Sequence, residues 1–166
     1  PVPDEDLAGE IYDLLLAKTS AAGYGQYEIS NFSKPGFTSR HNSKYWTFDP
    51  YLSFGVSAHS FDGISKRWSN ERDTAAYVSL IESGESPIVF QEVIDARSEY
   101  IFLKLRLTEG LKLAEYNARF RTDLQKKYAE ELKDLTYAEL VEIVDGNLRL
   151  TAKGMVYSNE VFRVFV

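Results

Sequence analysis

Leu140-Val141-Glu142-Ile143-Val144-Asp145-Gly146-Asn147-Leu148-Arg149-Leu150 consists of two short alternating runs around an Asp-Gly pair. Asp-Gly suits the central positions of a two-residue hairpin turn, where both residues take positive φ, so the stretch predicts a β-hairpin. Just beyond it, Thr151 is placed to cap a closing helix holding Met155, Val156, Phe162 and Phe165. On the other side the pattern predicts three helices. The first covers residues 95–107, where Tyr100, Ile101, Leu103, Leu105 and Leu107 make most of the circumference apolar. Thr108-Glu109-Gly110 breaks it, a short helix follows over 113–120, and Thr122 is the expected cap of a third that runs to about residue 135. Three helices, a hairpin and a closing helix make a winged-helix-like arrangement, a layout that often reads DNA through one helix.

Charge argues against that use. Residues 112–166 carry nine basic and nine acidic side chains, and Arg119 and Arg121 stand among Glu115 and Asp123. The whole chain has a net charge of −6, borne by residues 1–111. Phosphate contacts need a basic surface, so no nucleic-acid partner is expected. With 44% hydrophobic and 27% charged residues among 166, the composition is that of a folded chain of one ordinary domain or two small ones. No run approaches the roughly 18 apolar residues of a membrane span, although peripheral association remains open. Cysteine is absent, which removes disulfides and thiolate-held metals or clusters from what these residues do alone and fits a reducing cytoplasm. The acidic start, Pro1-Val2-Pro3-Asp4-Glu5-Asp6, has no initiator methionine and reads as a cut inside a larger protein.

The N-terminal half has a different character. Leu7, Ile11, Leu14 and Leu15 share one face of an amphipathic helix over 4–22, capped by Asp4 and stopped by Gly23, and the spacing predicts that this face is buried. A strand is predicted over 24–30, next a long polar and aromatic loop over 37–50, then a strand over 51–58 whose Gly55, Ser57 and Ala58 suit close approach by a backbone or a ligand. Gly55 to His59 resembles a nucleophile elbow but has His59 where the second glycine belongs. Residues 65–69 are expected to form a short outer strand, Asp73 to cap a helix to about residue 83, and Gly84-Glu85-Ser86-Pro87 to mark a boundary between regions 1–84 and 85–166. Within the loop, Arg40-His41-Asn42-Ser43-Lys44-Tyr45-Trp46 sets an imidazole among aromatic faces, groups that suit a planar iron-bearing ligand.

These blocks carry a resemblance. Tyr27-Glu28-Ile29-Ser30-Asn31-Phe32, His41-Asn42-Ser43-Lys44-Tyr45-Trp46 and the run from Tyr51 to Ser60 resemble successive blocks of the oxygen-independent coproporphyrinogen III oxidase family of radical S-adenosylmethionine proteins. Leu150-Thr151-Ala152-Lys153-Gly154 and Ser158-Asn159-Glu160-Val161-Phe162 are similar to that family's C-terminal domain. The His-Asn-x-x-Tyr-Trp block points to its HemW-type haem-chaperone branch. The resemblance implies an α/β plus α+β fold: the last strands and helices of an incomplete radical-SAM barrel over 1–84, then the helical, winged-helix-like domain over 85–166.

By the same resemblance, haem would sit at His41, Asn42, Tyr45 and Trp46. His41 would ligate the iron, Tyr45 and Trp46 would flank the macrocycle, and Arg40 or Lys44 would face its propionates. Gly55 and His59 would lie on the side of S-adenosylmethionine, with His59 departing from the aliphatic residue of the oxidases. The implied function is haem binding and delivery to an acceptor protein. The alternatives are coproporphyrinogen III oxidation in porphyrin biosynthesis and a C-terminal protein-docking module. S-adenosylmethionine and a [4Fe-4S] cluster belong to the full-length parent, and this chain, lacking cluster cysteines, is expected to be inactive as an oxidoreductase. Strands of a partial barrel would leave edges open at 24–30 and 51–58, which predicts dimerisation or strand exchange, or disorder in the loop over 37–50.

Overall fold

A computed structural model describes residues 5–165, beginning with the predicted first helix, α1 (Glu5–Ala21). Asp4, its expected cap, lies outside the described residues. Gly23, at φ 80, turns the chain out of the helix as expected. Leu7, Ile11, Leu14 and Leu15 do share a face, but they are 43–55% exposed rather than buried. The periodicity fixes which residues stand together, and no described element covers them.

The chain then forms an antiparallel pair, β1 (Gly25–Glu28) and β2 (Asn31–Ser33). The predicted open edge at 24–30 is closed on its second side. The Ile29 amide donates to the Arg106 carbonyl at 3.1 Å and the Thr108 amide to the Tyr27 carbonyl at 3.2 Å. The expected loop over 37–50 instead contains a helix, α2 (Arg40–Trp46). Strand 51–58 is also corrected, because Gly55 at φ 104 and Ser57 at φ 57 cannot continue a ladder. Pairing starts only at β3 (His59–Phe61), with a lone bridge from Tyr51 to Phe61.

Next come β4 (Lys66–Asn70), α3 (Thr74–Glu82) and β5 (Ile88–Val93). Asp73 caps α3 as predicted, its carboxylate accepting the Ala76 amide at 2.9 Å. β4 is the middle strand of the antiparallel order β3-β4-β5, not an outer one. β5 follows the expected boundary at 84–87 yet pairs with β4 before it.

The remaining elements are α4 (Ala96–Leu105), β6 (Leu111–Lys112), α5 (Leu113–Phe120), α6 (Leu124–Lys127), α7 (Ala129–Tyr137), β7 (Val141–Val144), β8 (Asn147–Leu150), α8 (Ala152–Val156) and α9 (Ser158–Arg163). Asp123 rather than Thr122 caps the third helix of this region, which divides into α6 and α7 at Tyr128. β7 and β8 form the predicted hairpin, with Asp145 at φ 51 and Gly146 at φ 79. β6 adds a third strand on the far side of β8. Thr151 caps α8, its hydroxyl accepting the Gly154 amide at 2.9 Å.

Among the described residues, Cα proximity groups the chain up to Trp46 with the chain from Ile101 on, and Thr47–Tyr100 separately. In the first unit Ile101, Leu105, Leu111, Tyr116, Leu124, Leu148 and Val161 are fully buried, and Phe102 meets Phe162 edge-on at 4.7 Å. The hydroxyl of Thr151 donates to the Glu139 carbonyl at 2.6 Å and Lys153 Nζ to the Ala138 carbonyl at 2.9 Å. The start of α8 thereby satisfies carbonyls at the C-terminus of α7. In the second unit Phe48 packs edge-on against Phe61 at 4.8 Å and Tyr100 at 5.5 Å. The Asp62 carboxylate receives the amides of Ile64, Ser65 and Lys66 at 2.8–3.0 Å and closes the β3–β4 turn. These bonds, led by Lys66, favour the charged carboxylate and lower its pKa.

Candidate functional site

Ser39 is what makes residues 40–46 helical. Its side-chain oxygen accepts the Asn42 amide at 3.2 Å and its carbonyl accepts the Ser43 amide at 3.0 Å. A serine hydroxyl reaching the third residue onward is a helix N-cap. Once helical, His41 and Tyr45 stand one turn apart on the same face, and Asn42 and Trp46 share the neighbouring one. The Tyr45 hydroxyl lies 3.3 Å from His41 Nε2, and the two rings meet edge-on with centroids 5.2 Å apart. Arg40, His41 and Lys44 are exposed, whereas Asn42, Tyr45 and Trp46 are half-buried. The outward face therefore carries an imidazole oriented through one nitrogen by a phenol, with two cationic side chains beside it. Such a face can offer a ring nitrogen to a metal and basic groups to carboxylates.

The inward side rests on residues that sequence reasoning did not single out. Glu28 is fully buried. One of its oxygens accepts the Ser30 amide at 2.7 Å and the Asn31 side-chain amide at 2.6 Å, and the other pairs with Arg106 at 3.1 Å. The Arg106 guanidinium lies over the Trp46 indole, 4.5 Å from its centroid. The Tyr27–Phe32 block, the His41–Trp46 block and the end of α4 thus meet at one point. A glutamate inside a β-prone run, followed two and three residues on by Ser and Asn that can hydrogen-bond it, is the signal that would have found this.

The other predicted site residues belong to the second unit. Gly55 takes φ 104, and its carbonyl accepts the Asn70 side-chain amide at 2.9 Å, which ties the irregular 52–58 segment to β4. His59 opens β3 opposite Ser69 and is exposed. No group of three or more His, Cys, Asp or Glu suited to holding a metal ion occurs among the described residues. No helix among them is long and apolar enough to cross a membrane.

Residues 92–157 match the family model of the HemN C-terminal domain. A haem chaperone HemW from Bacillus subtilis (strain 168) is 32% identical over 99% of this chain and 44% of its own length. Another, from Mycobacterium tuberculosis (strain H37Rv), is 34% identical over 93% of the chain and 40% of its own length. Residues 92–157 are thus similar to the HemN C-terminal domain, and nearly the whole chain to haem chaperones HemW. Among solved structures, coproporphyrinogen III oxidase (HemN) from Escherichia coli, a radical SAM enzyme, superposes with a TM-score of 0.68 at 17% identity, covering 98% of this chain and 42% of that one. The mixed α/β fold is therefore that of part of HemN. The chain spans less than half the length of these relatives.

Proposed function

We propose that this chain is the C-terminal part of a haem chaperone, which binds haem and passes it to an acceptor protein. The observation that carries the reading is the outward face of α2, where His41, held by Tyr45, stands beside Arg40 and Lys44. The names of the relatives that match nearly the whole chain support it. His41 is the proposed iron ligand, Tyr45 and Trp46 the ring contacts, Asn42 a further contact, and Arg40 or Lys44 the propionate partners. Because Trp46 lies half-buried beneath Arg106, its role is to seat the helix as much as to touch the ring.

In this reading residues 1–84 are the end of a radical-SAM barrel and residues 85–166 a winged-helix-like appendage, whose order α4-β6-α5-α6-α7-β7-β8 suits that description. Gly55 and His59 are proposed to face S-adenosylmethionine. A cysteine-held [4Fe-4S] cluster does not fit the residues present, since the chain has no cysteine, and both groups would belong to the longer protein. The protein would work in the cytoplasm, and self-association of this chain stays part of the proposal.

Haem titration followed by the Soret band tests the assignment. His41→Ala should shift the band and weaken binding, and an unchanged spectrum and affinity would refute it. If the full-length protein converts coproporphyrinogen III to decarboxylated product with S-adenosylmethionine and a reductant, the oxidase alternative replaces the chaperone reading.

A further inference from the structure

Glu28 is a carboxylate with no exposed surface, in a chain where most charges lie at the surface. Burying an ion pair carries a desolvation penalty for each ion, and well-packed apolar residues of similar volume often serve stability as well or better. What the Glu28–Arg106 pair supplies instead is direction. Glu28 is fixed by three partners: the Ser30 amide, the Asn31 side chain and Arg106. Arg106, so anchored, sets its guanidinium over the Trp46 ring, 4.5 Å from the centroid. Trp46 ends α2, and its indole N–H is buried with no acceptor among the described residues. No hydrogen bond to its indole fixes the ring, so the guanidinium over it is a principal contact that sets where this end of the helix rests. His41 lies five residues earlier on the same short helix.

We infer that Glu28 and Arg106 are positioning residues for α2, and that through Trp46 they set how His41 is presented to its ligand. The second half of this inference rests on the proposed haem site, and the first half does not. Arg106→Lys keeps a positive charge for Glu28 but removes the planar fork. Glu28→Gln keeps acceptors for Ser30 and Asn31 but removes the ion pair.

Each substitution is made in a Trp68→Phe background, which leaves Trp46 as the only tryptophan. Far-UV circular dichroism checks folding, acrylamide quenching reports on Trp46, and a haem titration runs beside His41→Ala. Both variants should keep the native dichroism, expose Trp46 to more quenching and weaken haem binding about tenfold, as removal of partners behind a metal ligand typically does. Adding Arg106→Lys to His41→Ala should bring little further loss, because Arg106 acts through that imidazole.

Unchanged quenching would overturn the inference. Greater quenching with native haem affinity, while His41→Ala binds weakly, would overturn its link to the ligand. If His41→Ala binds like the native protein, the haem reading itself fails, and quenching alone decides whether the pair holds α2. Should a single variant fail to fold, the Glu28→Gln/Arg106→Gln pair leaves no buried charge unmatched and takes the same three measurements.

Discussion

Replacing Gly154 by alanine should destabilise the protein, against what helix propensity alone predicts. Gly154 lies inside α8 and is buried, and its φ is not in the left-handed region, so no backbone strain is at issue. The obstacle is steric. An added Cβ would collide with the Leu140 carbonyl oxygen, and it would stand 2.8 Å from the carbonyl carbon and 3.2 Å from Cα of the same residue. These are backbone atoms that cannot swing aside. The Leu140 carbonyl is also the acceptor for the Thr151 amide at 3.1 Å, so moving α8 away strains the bond that starts the helix.

Forcing a methyl into a packed backbone contact costs about 1–3 kcal/mol, and an immovable neighbour puts this case at the upper end. Alanine returns about 0.5–1 kcal/mol of helix propensity. The net loss is about 2 kcal/mol. A domain of this size loses about 2–4 °C of melting temperature per kcal/mol, so the midpoint should fall by about 4–8 °C. Gly9→Ala is the control. Gly9 lies in α1, where an added Cβ meets nothing within 4 Å, and the same exchange should raise the midpoint slightly. Thermal melts followed by circular dichroism measure both. A Gly154→Ala variant as stable as the native protein would refute the close-approach argument.

Two further outcomes are expected. Asp73→Ala removes the acceptor of the Ala76 amide at the start of α3 and should cost about 1 kcal/mol, read as a lower midpoint in urea with an unchanged slope. Asp62 has a folded pKa below its ordinary value of 3.8, so its contribution to stability is complete above that value and is lost as the pH falls through the lower folded one. The melting-temperature gap between the native protein and Asp62→Asn should therefore be constant from pH 7 to about 5 and shrink below about 4. A gap that stays constant down to pH 3 would count against it.

Local signals that fix their own conformation were legible. Asp145-Gly146 demands positive φ and made the hairpin, and Asp73 and Thr151 capped helices as expected, although the expected single closing helix breaks at Tyr157 into α8 and α9 and leaves Phe165 beyond both. Signals that need a distant partner were not. β6 is two residues long and exists because Asn147 and Leu148 pair with it. β5 was hidden behind Pro87, although Ile88-Val89-Phe90 has a strand former's composition. Residues 40–46 looked like a loop because histidine, asparagine, serine and aromatics are weak helix formers, and Ser39 went unread as a cap. At the candidate site the outward residues were named from sequence, but Arg106 was not. Only the fold brings position 106 under position 46.

The hairpin turn at Asp145-Gly146 has a consequence for engineering. Turn tips usually accept inserted tags or loops, because nothing else depends on them. Here the Gly146 carbonyl receives the Leu113 amide at 3.0 Å, at the first residue of α5. An added Cβ at Gly146 would meet nothing, so the space around the turn is open, but its backbone is spoken for. A peptide spliced between Asp145 and Gly146 would therefore loosen the start of a helix, more than thirty residues upstream. The tip of this hairpin is a joint, and a tag is better carried by the exposed 83–86 segment.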